Sequence, residues 1–136
     1  MIDFVLDTSV VVSWCLKDEK DDYSDHILDH LSTRDAVVPA LAPFEIANVL
    51  LVAERRGRLT EADANRFISL FDSLPIHLDQ ESPNKIRVRI LEIGRKHRLS
   101  AYDSAYLELA MREGLHLATR DKTLRSAALK SGVPIL

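Results

Sequence analysis

Very short apolar runs, each followed by a longer stretch of helical periodicity, recur along the chain and leave few architectures open. Ile2–Leu6, Ala36–Val38, Ile76–Leu78, Leu115–Ala118 and Val133–Leu136 read as strands. Between them, Thr8–Leu16, Tyr23–Ser32, Pro43 to about Arg56, Thr60 to just before Pro75, Pro83–Arg98, Ser100–Gly114 and Asp121–Lys130 read as helices. Pro43 suits a first helical turn and Gly57 can close that helix. Thr60 with Asp63 has the spacing of a capping box, and Phe67, Ile68, Leu70 and Phe71 are expected to face inward from the helix it opens. Strands this short and this apolar are buried on both faces, which is the mark of a parallel sheet covered by helices. The predicted fold is α/β, a three-layer α/β/α sandwich around a short, mainly parallel sheet, with residues 1–136 forming one domain.

Other classes fall away on simple grounds. No apolar run approaches the roughly 20 residues of a membrane span. The start, Met1-Ile2-Asp3, lacks the basic and small-residue features of a signal peptide, so a cytoplasmic location is expected. Cys15 is the single cysteine, cannot pair internally, and reads as a buried small hydrophobe. Four glycines without a GxGxxG or Walker A pattern argue against a nucleotide cofactor. Net charge is −3, yet residues 85–98 carry six bases against Glu92 alone. A one-sided basic helix can hold a polyanion on an acidic protein.

The stretch Phe4-Val5-Leu6-Asp7-Thr8-Ser9 places a carboxylate where the chain leaves its own core. Asp121 lies just past another strand, Glu45 lies between Phe44 and Ile46, and Asp103 lies beside Tyr102 and Tyr106. Each acid taken singly suits a helix N-terminus, where the dipole favours it by about 0.3–1 kcal/mol. As a set they are set too deeply among apolar neighbours for surface caps, because buried carboxylates need a partner or a metal. Doubly wound sheets gather such groups outside the carboxyl ends of their strands. Hard oxygen ligands without His or Cys select Mg²⁺, with Mn²⁺ as the alternative, over Zn²⁺. His26 and His30 stand one turn apart in an acidic helix and read as a solvated face. The chemistry expected from the acids is metal-dependent hydrolysis of a phosphate ester.

FVLDTSV, FEIANVL, LSAYDSAYLELA and LATRDKTL, in that order and spacing, resemble the PIN-domain family, and within it the small ribonuclease toxins of the VapC type. The resemblance spans Val5 to Leu124. It implies a Mg²⁺-dependent endoribonuclease, a homodimer, silenced by a cognate antitoxin protein. It makes Asp7 and Asp103 the metal ligands, with Glu45 and Asp121 completing a four-acid catalytic site. Thr8, Ser9 and Thr119 match family hydroxyls; Thr119 is expected to hold a water or a phosphate, and Asn48 to orient Glu45 or nearby backbone. RNA would lie along Lys85–Arg98 and Arg55–Arg58, and an antitoxin segment would use Leu50, Leu51 and Val52 as a groove. Many relatives carry a further acid after the fourth; here no Asp or Glu follows Asp121, which leaves one metal or two open. Arg120 is a bulky neighbour for an acidic pocket and is expected to point to RNA or solvent.

Rival chemistries fit less well. A phosphatase with Asp7 as nucleophile needs an acid two residues on, where Ser9 stands. A phosphate-accepting receiver needs a late strand-end lysine, and Lys122 instead opens a helix. The alternative from another class is a PIN-like scaffold that binds a partner without cutting.

Overall fold

A computed structural model describes residues 1–136. Four strands, β1 (Ile2–Leu6), β2 (Asp35–Val38), β3 (Ile76–Leu78) and β4 (His116–Ala118), form one parallel sheet in the order β3-β2-β1-β4. Phe4, Val5 and Leu6 are completely buried, as are Ala36, Leu117 and Ala118. The uninterrupted apolar runs thus mark strands covered on both faces. β3, at one edge, is more open, and His77 there pairs with Asp35 of β2 at 2.7 Å.

Helices α1 (Thr8–Cys15) and α2 (Asp22–His30) join β1 to β2, and α3 (Ala42–Arg55) and α4 (Glu61–Asp72) join β2 to β3. The chain then crosses to the other side of β1 through α5 (Pro83–His97) and α6 (Ala101–Glu113), and α7 (Lys122–Lys130) follows β4. This reversal puts the topological switch between the carboxyl ends of β1 and β4, with Leu6 opposite Ala118. The ladder's last bond, Asp7 N–H to Ala118 O at 3.0 Å, delivers Asp7 to that switch. No helix is long and apolar enough to cross a membrane.

Several expectations need correction. Val133–Leu136 is no strand but a single parallel bridge between Ile135 and Leu117. Pro134 accepts from Leu117 N–H yet has no N–H of its own to extend the ladder. The capping box of Thr60 and Asp63 forms as expected. On α4, however, only Phe67, Ile68 and Phe71 pack inward, in line with buried Ala64, whereas Leu70 is off that stripe and 62% exposed. On α3, Leu50 belongs to the core and Leu51 faces out. Cys15 is only half-buried, and its thiol is pushed up to about 11, chiefly by burial.

The helix α6 is buried along seven successive residues, Ser104 to Ala110, and that run includes Glu108 with no exposure at all. Arg112, one turn on, meets Glu108 at 3.1 Å and Asp79, just past β3, at 2.6 Å. Arg89 of α5 adds a contact to Glu108 at 3.2 Å. The ion cluster therefore ties α5, α6 and the sheet edge together. Gly94 lets α5 reach α6 closely: a Cβ there would stand 3.1 Å from Leu99 O and 3.3 Å from Ser104 Oγ. That contact holds the corner at which α6, and Asp103 with it, begins.

Candidate active site

Asp7 is 4% exposed and occupies the N-cap position of α1, yet its side chain makes no cap bond. Instead its Oδ2 accepts from Ser9 Oγ at 2.6 Å and from Thr119 Oγ1 at 2.8 Å. Ser9 Oγ in turn accepts from Arg120 N–H at 2.9 Å, and Thr119 Oγ1 accepts from Asp121 N–H at 3.0 Å. Two short relays thus run from the backbone past β4 through a hydroxyl to one carboxylate oxygen after β1. They leave Asp7 Oδ1 clear of both hydroxyls. Thr119 is 1% exposed and its hydroxyl is spent on Asp7, so it does not hold a water or a phosphate as expected.

Glu45 enters from the first turn of α3, set there by Pro43. Its Oε1 accepts from the Tyr106 hydroxyl at 2.6 Å, with Thr8 Oγ1 3.1 Å away. Thr8 and Tyr106 are themselves 2.6 Å apart. Tyr106 is completely buried, and its phenol is held far above the ordinary range by that burial and by Glu45. Asn48, by contrast, is exposed on α3 and does not orient Glu45; Thr8 and Tyr106 do so. Asp121 caps α7, its Oδ1 accepting from Leu124 N–H at 2.9 Å. Arg120 turns away from the acids: its Nε lies 2.6 Å from Asp21 Oδ2, and Nη1 3.3 Å from the Ser9 carbonyl.

Asp103 stands in the first turn of α6, where Ser100 caps its N–H at 3.1 Å. Its own carboxylate does not complete a capping box. That carboxyl is pushed up to about 6, first by burial, then by repulsion from Asp7, Asp121 and Glu45. Burial raises Asp7 likewise, against the lowering effect of Ser9 and Thr119, with Asp121 adding to the rise. Asp7, Asp121 and Glu45 thus all lie near enough to Asp103 to raise it by repulsion. The side-chain and cap hydrogen bonds engage Asp7 through Oδ2, Glu45 through Oε1 and Asp121 through Oδ1.

A raised carboxylate pKa means that folding favours the protonated form. The stability from Asp103 is thus fully present below the unfolded value near 4 and is lost as pH rises through about 6. Asp103→Asn is accordingly expected to stabilise the metal-free protein, by about 1 kcal/mol after discounting for solvent screening. Thermal melts should show the gap opening between pH 5 and pH 7.5. A gap that narrows with rising pH would place Asp103 outside the repelling set.

No three His, Cys, Asp or Glu side chains form a ready-made cage for a metal. Mg²⁺ does not ask for one, since it commonly takes one or two carboxylates and keeps several waters. The oxygen-only donors, with Asp7 Oδ1 clear of the Ser9 and Thr119 hydroxyls and Asp103 held by no side-chain partner, fit Mg²⁺ or Mn²⁺.

The short parallel sheet with acids gathered at its switch point defines a class, and residues 4–130 match the family model described as PIN domain. The chain belongs to the PIN-domain family. Ribonuclease VapC3 of Pyrobaculum aerophilum is 28% identical to it over 127 residues, 88% of this chain and 90% of that protein. The crystal structure of PAE2754 from Pyrobaculum aerophilum superposes with a TM-score of 0.70 at 22% identity, covering 93% of this chain and 86% of that one. FitAcB from Neisseria gonorrhoeae gives 0.66 at 20% identity, over 98% of this chain and 96% of that one. FitAB bound to an IR36 DNA fragment gives 0.57 at 18% identity, over 98% and 93%. These three structures share the fold.

Proposed function

We propose that the protein is a Mg²⁺-dependent endoribonuclease acting as the toxin of a toxin–antitoxin pair. The observation that carries this reading is the repulsion of Asp103 by Asp7, Asp121 and Glu45 beside the end of β1, each of those three engaged through one carboxylate oxygen by a hydroxyl or a helix cap. PIN-domain membership and the likeness to a protein named a ribonuclease support it. Asp7 and Asp103 would hold the metal. When bound, Mg²⁺ supplies a lowered water pKa and neutralises charge on the phosphate. The chain's own residues do the rest. Ser9 and Thr119 fix Asp7 through one oxygen, so that the other faces the crevice. As the water oxygen bonds to phosphorus, the P–O bond to the leaving ribose oxygen breaks. The water's proton would pass to one of the two remaining acids, at Glu45 Oε2 or Asp121 Oδ2, and the leaving oxygen would take a proton from solvent. Oε2 is the free oxygen of Glu45 because Tyr106 and Thr8 engage Oε1.

Tyr106 is in this reading a positioning residue. Tyr106→Phe removes a hydrogen bond to a charged group, worth about 1.5–3 kcal/mol, and is expected to slow single-turnover cleavage at least about tenfold. KM for RNA should change little. An unchanged rate would mean that Glu45 needs no fixed orientation.

The cognate antitoxin is expected to place a basic side chain in the acidic crevice and an apolar segment on exposed α3 residues such as Phe44 and Leu51. A homodimer and a cytoplasmic location complete the proposal. The direct test is incubation of a mixed cellular RNA pool with the protein, with Mg²⁺ and with EDTA. Discrete fragments that require Mg²⁺ are expected; intact RNA under both conditions would favour the scaffold reading.

A further inference from the structure

An open cleft of about 540 Å³ lies where the end of α5 meets α7. Lys96, His97, Arg98, Lys122, Thr123 and Lys130 line it, and no acidic side chain does. None of its four full cations has a carboxylate partner, whereas Arg89, further back on α5, is committed to Glu108. The C-terminal ends of α5 and α7 favour Lys96, Arg98 and Lys130 through the helix dipole, but no carboxylate neutralises the four cations, so the hollow presents a net positive charge. Arg98 carries a cost of its own: it holds a left-handed backbone, φ 55°, at the C-cap of α5, a position that favours glycine or asparagine. Only one lining residue is hydrophobic and none is aromatic apart from the His97 ring, so the cleft is built to hold charge rather than to stack bases. Both walls adjoin the acids along the chain: Lys122 follows Asp121, the N-cap of α7, and Arg98 stands two residues before Ser100, which caps the Asp103 N–H.

We propose that this cleft is a phosphodiester-binding track that holds the backbone of the RNA strand whose next segment lies at the acids. The identity of the strand as RNA rests on the nuclease reading. The binding determinant is therefore the C-terminal end of α5 together with α7, not the length of α5. Such contacts set register and affinity without reading sequence.

The test is fluorescence anisotropy of a labelled, mixed-sequence single-stranded RNA with the full chain in EDTA, from 50 to 200 mM KCl. The cleft pairs are Lys96→Ala/Arg98→Ala and Lys122→Ala/Lys130→Ala. Arg34→Ala/Arg66→Ala is the control, removing the same net charge elsewhere. Each cleft pair is expected to weaken binding at least about tenfold at 100 mM salt and to flatten the log–log salt slope by about 1.4, while the control stays within about twofold. Cleft pairs that bind as wild type does, a control that weakens equally, or a wild type that binds no RNA would each overturn the proposal. Repeating the assay in Mg²⁺ separates the two readings. RNA held through the cleft but never cut removes the nuclease and leaves the track; cutting that ignores the cleft pairs, at every RNA concentration, removes the track and leaves the nuclease.

Discussion

Asp7→Asn is expected to lower Mg²⁺-dependent RNA cleavage by at least about 1,000-fold, which corresponds to some 4 kcal/mol of lost transition-state stabilisation. The amide oxygen of Asn can still accept from Ser9 and Thr119, whose hydroxyls lie 2.6 and 2.8 Å from Asp7 Oδ2, so the join between β1 and β4 should survive. What disappears is the negative charge at the atom facing the crevice. Burial already disfavours that charge in the metal-free protein, so the melting temperature should hold or rise rather than fall. Single-turnover cleavage and thermal melts on the same preparation check both halves. A variant that unfolds would show Asp7 to be structural; one that cuts normally would remove it from the site.

Arg112→Ala is expected to be the most damaging change far from the acids. Glu108 is fully buried, and loss of Arg112 leaves it with Arg89 alone, whose side chain is 49% exposed. Breaking a buried ion pair on one side costs about 3–5 kcal/mol, since the remaining charge keeps its desolvation penalty. For a chain of this size that is a fall of roughly 10–20 °C in melting temperature. Replacing every nearly buried charge of the cluster, as in Asp79→Asn/Glu108→Leu/Arg112→Leu, should recover part of the loss, because Asp79 (side chain 10% exposed) also depends on Arg112 and would otherwise be left as an unpaired carboxylate. Urea unfolding of the single and triple variants measures this. A single variant within about 1 kcal/mol of wild type would mean that water reaches Glu108.

The residues differ in how far the sequence betrays them. Asp7 and Asp121 are legible because an apolar run ends beside each, and a strand end in a doubly wound sheet is a functional address. Glu45 and Asp103 are legible from their apolar neighbours at helix starts. What holds these acids is not. Ser9 and Thr119 meet on Asp7 only because β4 pairs with β1, and that register depends on a crossover across the whole chain. Tyr106 looks from its sequence position like core packing, and it is core; its hydroxyl meets Glu45 only once α6 lies beside α3. Asn48 misleads for the converse reason: it stands one turn from Glu45 on α3, but it is exposed, and Glu45 is engaged from the other side by Thr8 and Tyr106. Glu108 and Arg112 stand at the familiar one-turn spacing, yet periodicity does not tell an exposed pair from one in a helix buried on every side. The last expected strand fails on one residue, Pro134, which cannot donate to a ladder.

The nuclease and the scaffold part company over a single property, affinity for a divalent cation at the four acids. Calorimetric titration of the EDTA-stripped protein with Mn²⁺ measures it without any RNA. Wild type is expected to bind saturably, and Asp7→Asn and Asp103→Asn are each expected to lose at least about tenfold in affinity while remaining folded. Absence of Mn²⁺ binding by folded wild type, or binding indifferent to both substitutions, would contradict a metal centre built on Asp7 and Asp103.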